Sequence, residues 1–125
     1  MADEIKVTTR LSITKGYLSS SESVVNLLVS QTGDGISSGT QTIGTTAEAI
    51  GLGDLTTPGY AFFRNLDLTN FMQIGQDISG GGFEEFCRLG PGEVALFRID
   101  LATGGVLQAK ADTADCELQF SIYEN

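Results

Sequence analysis

The chain has 125 residues, 41% hydrophobic and 18% charged, with two cysteines and neither histidine nor tryptophan. That length and apolar content suit one folded domain with its own core and exclude a disordered chain. Its net charge of −9 rests on few and scattered cations (Lys6, Arg10, Lys15, Arg64, Arg88, Arg98, Lys110), which argues against nucleic acid or an anionic membrane as partner.

In chain order, Ile5, Val7, Thr9, Leu11 and Ile13 alternate with Lys6, Thr8, Arg10, Ser12 and Thr14. This predicts a half-buried strand with one wet face. Residues 16–23 read as turn, and 22–32 as a second strand, apolar on both faces through Val24, Val25, Leu27, Leu28 and Val29. Residues 31–35 form a loop. The segment 33–55 is rich in Ser, Thr and Gly, and within it Thr40, Thr42, Ile43, Thr45 and Thr46 favour extended structure. Residues 47–55 have room for one helical turn, weakened by Gly51 and Gly53.

Pro58 and Pro91 are the only prolines, and each is followed by glycine. A Pro-Gly pair fits the two central positions of a type II turn, so both mark strand starts. Six strands are predicted over 60–66, 71–76, 83–89, 94–101, 106–111 and 116–123, separated by turns such as Asp67-Leu68-Thr69-Asn70, Ser79-Gly80-Gly81-Gly82 and Thr103-Gly104-Gly105. Eight or nine short strands without an amphipathic helix predict an all-β fold, an antiparallel two-sheet sandwich of jelly-roll-like wrapping, in a single domain spanning 1–125.

Tyr60 to Phe63 and Val94 to Phe97 are apolar at every position, whereas a lone sandwich strand buries one face and wets the other. Their second face is covered either by the chain's own segment 33–58 or by another protein. The candidate interface is therefore Tyr60, Phe62, Phe63, Arg64, Leu96, Phe97 and Arg98. An arginine on a largely apolar face is costly unless paired. Arg64 and Arg98 are expected either in salt bridges to Asp67 or Asp100 or in ion pairs between subunits.

Residues for catalysis and metal binding are sparse. Without histidine there is no catalytic triad and no histidine metal ligand. Cys87 and Cys116 lie 29 positions apart, without the spacing of a zinc site, and Cys116 falls on an apolar strand face as a buried thiol. Glu84 and Glu85 are adjacent on a strand and so point to opposite faces. Asp112, Asp115 and Glu117 read as a solvated hairpin tip, and Gly80-Gly81-Gly82 as a turn without the lysine of a phosphate loop. No enzyme activity and no cofactor is expected. The start Met1-Ala2-Asp3-Glu4-Ile5-Lys6 has no secretory h-region, and no apolar run approaches a membrane span.

The runs Thr56-Thr57-Pro58-Gly59-Tyr60-Ala61-Phe62-Phe63-Arg64-Asn65-Leu66-Asp67, Asn70-Phe71-Met72-Gln73-Ile74-Gly75 and Leu89-Gly90-Pro91-Gly92-Glu93-Val94-Ala95-Leu96-Phe97-Arg98 are similar to small virion proteins of tailed bacteriophages. The similarity continues through Leu107-Gln108-Ala109-Lys110-Ala111 and covers roughly the second half of the chain. The resemblance implies a β-sandwich structural protein of the head-decoration (cement) kind, made in the host cytoplasm and carried in the virion. Its implied partners are the major capsid protein or another virion protein, with a homo-oligomer, a trimer by the symmetry of shells, as the expected state. The alternatives are a carbohydrate-binding sandwich module, for which only Tyr17, Tyr60 and Tyr123 offer phenolic platforms, and a tail or baseplate accessory involved in host recognition.

Overall fold

The computed structural model describes residues 4–78 and 81–125 and is all-β, with ten strands in antiparallel sheets and no helix among those residues. The strands are β1 (Ile5–Lys15), β2 (Leu18–Val29), β3 (Ile36–Ile43), β4 (Glu48–Ala49), β5 (Pro58–Asn65), β6 (Met72–Ile78), β7 (Gly82–Leu89), β8 (Val94–Arg98), β9 (Val106–Ala111) and β10 (Cys116–Glu124). They fall into two compact units, one ending at Gly33 and the other Asp34–Asn125. The count exceeds the expected eight or nine because the Ser/Thr-rich segment supplies both β3 and β4. No helical turn forms at 47–55; Ile50 and Leu55 there enter the core.

The first unit is a two-stranded ribbon of β1 and β2, joined by the two-residue loop Gly16-Tyr17 between the paired Lys15 and Leu18. Gly16 takes φ +58°, which glycine adopts without a Cβ penalty at the first central position of a hairpin turn. Strand β2 thus begins at Leu18, and the expected turn over 16–23 shrinks to two residues. The expected half-burial of β1 holds only for Ile5 and Val7; the rest of the strand is exposed.

A bulge alters the parity of β2. Val7 pairs with Leu27 but Thr9 pairs with Val24, so Val25 and Asn26 together oppose Thr8. Asn26 adopts φ +54°, and its amide N–H donates to Thr8 Oγ1 at 3.1 Å. The extra residue brings Val24, Leu27 and Val29 onto the face of Ile5, Val7, Leu11 and Ile13. The expected strand with apolar residues evenly on both faces becomes one side of an amphipathic ribbon, with Leu28 opposite Lys6 on the polar face.

The second unit is a sandwich of two four-stranded sheets, ordered β3-β10-β5-β8 and β4-β9-β6-β7. The pairs nest: β3 with β10, β4 with β9, β5 with β8, and β6 with β7. Between the sheets lie Ile43, Phe63, Met72, Ile74, Leu107, Leu118 and Ile122, each essentially inaccessible to water. Alternation does the sorting: β10 buries Cys116, Leu118, Phe120 and Ile122 while Glu117 and Gln119 face water.

The two Pro-Gly pairs differ. Gly90-Pro91-Gly92-Glu93 is the expected turn, with Gly92 at φ +75° and Glu93 N–H donating to Gly90 C=O at 3.1 Å. Pro58-Gly59 is not a turn; both residues lie within β5. Pro58 sits at the strand's first position, where a missing N–H breaks no ladder bond. Gly59 lies in close quarters, since a Cβ there would stand 3.1 Å from the Asn125 Cα.

At the other end of β5, Asn65 is the one buried polar side chain among the described residues, with no exposure. Its Nδ2 donates to the carbonyls of Asn70 (2.8 Å), Leu89 (3.1 Å) and Gly90 (3.2 Å), and its Oδ1 accepts from Asp67 N–H at 2.9 Å. Its backbone bonds Glu93 C=O and Gly92 N–H. Asn65→Ala removes the side-chain donor to the buried Leu89 carbonyl, while Gly90 C=O keeps the Glu93 N–H, and we expect urea unfolding to show a loss of about 1–3 kcal/mol. A loss under about 0.5 kcal/mol would contradict the role given to this amide.

Candidate functional site

Period-two geometry divides β5 into Gly59, Ala61, Phe63 and Asn65, all buried, and Tyr60, Phe62 and Arg64 on the outer face of the sheet. The neighbouring β8 brings Arg98 opposite Tyr60, Leu96 opposite Phe62, and Val94 opposite Arg64. Of the predicted interface residues, the fold gathers Tyr60, Phe62, Arg64, Leu96 and Arg98 on one surface and adds Val94, which is 58% exposed. The other two lie on the inner face. Phe63 is fully buried, and Phe97 is half-buried, its ring 5.7 Å from that of Phe63 and 5.8 Å from that of Phe86.

The arginines do not find the carboxylates expected of them. Arg98 lays its guanidinium over the Tyr60 ring at 4.6 Å and donates from Nη1 to Asn125 Oδ1 at 2.9 Å. This stacked, planar arrangement is one a lysine would not reproduce. Arg64 is exposed and, among the described residues, forms no ion pair. Asp67 is engaged elsewhere: its carboxylate accepts from the backbone of Thr69 (2.9 Å) and Asn70 (2.5 Å). The Asn70 bond above all holds its pKa below the usual aspartate range. The result is an apolar strip flanked by two arginines that form no salt bridge among the described residues, on a strongly acidic chain.

Strand β8 ends its sheet, and β7 ends the other. Edge strands invite pairing by other chains, and β7 is blunted by a bulge at Phe86, between the pairs Ile74–Cys87 and Gly75–Glu85. Gly75 is required there, because a Cβ would fall 2.1 Å from Glu84 C=O. β8 carries no such device. Beside its end an open cleft of about 470 Å³ is lined by Thr56, Thr57, Arg98, Asp100 and Asn125, among others.

The remaining candidates for chemistry are dispersed. Cys87 and Cys116 are free thiols on strands of different sheets, and burial pushes both pKa values up, away from reactive thiolate. Glu85 accepts from Gln73 Nε2 at 2.7 Å and pairs with Arg88 at 3.2 Å, as a surface cross-strand cluster. No group of three His, Cys, Asp or Glu side chains among the described residues is placed to hold a metal ion. Tyr17 stands fully exposed at the ribbon tip, while Tyr60 and Tyr123 lie on the adjacent strands β5 and β10.

Sequence reasoning missed the polar side chains that fasten the sandwich. Gln41 donates from Nε2 to Ala49 C=O (2.9 Å) and accepts at Oε1 from Gly51 N–H (3.0 Å), tying β3 to the segment around β4. Glu124 Oε1 accepts from the Thr56 hydroxyl (2.8 Å) and amide (3.3 Å), and Oε2 from Gly35 N–H (3.3 Å). The one available signal was position: a carboxylate at the end of an alternating strand.

In comparison with known proteins, no family model matches this chain, and neither does a curated protein or a solved structure.

The Thr56 hydroxyl, more than any other partner, lowers the Glu124 pKa below the usual glutamate range. A depressed folded-state pKa contributes stability that is present above the unfolded value and lost as pH falls through the folded one. Glu124→Gln should therefore flatten the acid side of the stability profile below the usual glutamate range. Urea midpoints measured from neutral to acidic pH check this; an unchanged slope would refute it.

Proposed function

We propose that this chain is a non-enzymatic structural protein of a tailed-phage virion that docks on the head shell and stabilises it. The observation that carries the reading is the outer face of β5 and β8, where Tyr60, Phe62, Val94 and Leu96 form an apolar strip between Arg64 and Arg98. Interfaces are enriched in aromatic residues and arginine, and the two cations, which form no salt bridge among the described residues, fit an acidic rim on the shell protein. The nested strand pairing of the sandwich supports a jelly-roll-like wrapping, a fold common among capsid proteins. The virion resemblance of residues 56–98 falls on the same two strands.

The test is binding of the purified chain to head shells that lack it. Phe62→Glu and Leu96→Glu each place a carboxylate at the centre of the strip and should weaken binding at least tenfold, about 1.4 kcal/mol. Arg64→Ala should act mainly on the association rate and reduce its salt dependence. Binding to tails instead of heads would make the chain a tail accessory. Failure to bind either, with the sandwich intact, would overturn the reading.

A further inference from the structure

The ribbon of the first unit presents a surface that the docking face does not use. On its apolar side, among the described residues, Leu11 is 78% exposed, Ile13 46%, Leu18 56% and Val24 47%. A two-stranded hairpin is marginal by itself in water. The apolar surface of these four side chains is on the order of 400 Å², the size of the largest patch an ordinary monomer exposes.

We propose that the covering surface is the same face of a second copy of this chain, stacked across a two-fold axis perpendicular to the strands. The register selects that arrangement. The regular stretch between the bulge and the hairpin loop runs from the pair Thr9–Val24 to the pair Lys15–Leu18, with its midpoint at Ser12–Ser21, while Leu27, 44% exposed on the same face, lies beyond the bulge. Reversal about that midpoint sets each strand over its own counterpart. Leu11 then meets the second copy's Ile13, and Val24 meets its Leu18. The two charged residues of this face also find compatible positions, Glu22 over Ser20 and Lys15 over Thr9. A two-fold axis along the strands would instead press Leu11 onto Glu22 and desolvate a carboxylate without a partner.

The face is thus self-complementary in one orientation, as an isologous dimer requires. With their polar flanks, two such ribbons bury roughly 1,000 Å², which is enough for a specific but modest interface. This deepens the assembly reading by naming a partner and a surface, and it does not depend on which shell protein is bound.

The experiment is the native mass of the full chain by sedimentation, with head-shell binding measured in parallel. The wild type should be a dimer at micromolar concentration, and Leu11→Lys and Ile13→Glu should each be monomeric. Because Leu11 of one copy faces Ile13 of the other, the double variant Leu11→Lys/Ile13→Glu should recover the dimer through two new ion pairs. Ser12→Glu, on the polar face, should leave it intact. Circular dichroism confirms that each variant keeps its β-structure. A monomeric wild type, or a double variant no more associated than the singles, overturns the inference; shell binding by the Phe62→Glu variant is a separate readout and decides the docking face alone.

Discussion

The buried amide of Asn65 is the constraint on which the arrangement of the sandwich turns. Three carbonyls from the loop after β5 and from the β7–β8 connection converge on one Nδ2, and the same residue's backbone holds the Gly90–Glu93 turn. The Leu89 carbonyl, in the buried one of these three bonds, would be costly to leave without a donor. Only an asparagine or glutamine carries both a two-hydrogen donor and an acceptor, and the shorter side chain fits the end of a strand. The consequence reaches the surface: with Asn65 pinned inward, the alternation of β5 is phased, so Tyr60, Phe62 and Arg64 must face out.

The phase of β8 follows from that of β5 through pairing. Ala61 opposite Phe97 and Phe63 opposite Ala95 fill the interior, which leaves Val94, Leu96 and Arg98 on the outside. The outer strip is the complement of a filled core. The same logic holds in the ribbon by a different device. There the bulge at Val25-Asn26 brings Val24, Leu27 and Val29 into one row with Leu11 and Ile13. Without it, Val24 would share the polar face with Arg10 and Ser12, and Val25 would take its place opposite Thr9.

Much of this was legible in the residues. Alternation at Ile5–Ile13 and Cys116–Ile122, punctuated by glycine turns, specified an all-β antiparallel chain, and Pro91-Gly92 marked its turn. The strip on β5 and β8 was readable from parity alone, except that parity also separates Phe63 and Phe97 from it. Pro58-Gly59 misled because a turn dipeptide and a strand's first two residues look alike until a neighbouring chain segment, here Asn125, is seen to pack close against the glycine. Segment 33–55 read as a Ser/Thr/Gly-rich extended stretch with no assigned place in the core. Its contribution is three well-placed side chains, Ile43, Ile50 and Leu55, together with backbone pairing, neither of which composition measures.

By itself the sequence determined the class of fold, the strand start marked by Pro91, and the scarcity of groups for acid–base or metal chemistry, since these depend on local periodicity and residue inventory. The tertiary structure alone decided which side of each strand faces water, which strands are edges, and what Arg64, Arg98 and Asn65 touch. Those outcomes depend on pairing between residues far apart in the chain, such as Tyr60 with Arg98 and Asn65 with Leu89, and on a single-residue bulge that inverts parity downstream of it. Local preference carries no record of either.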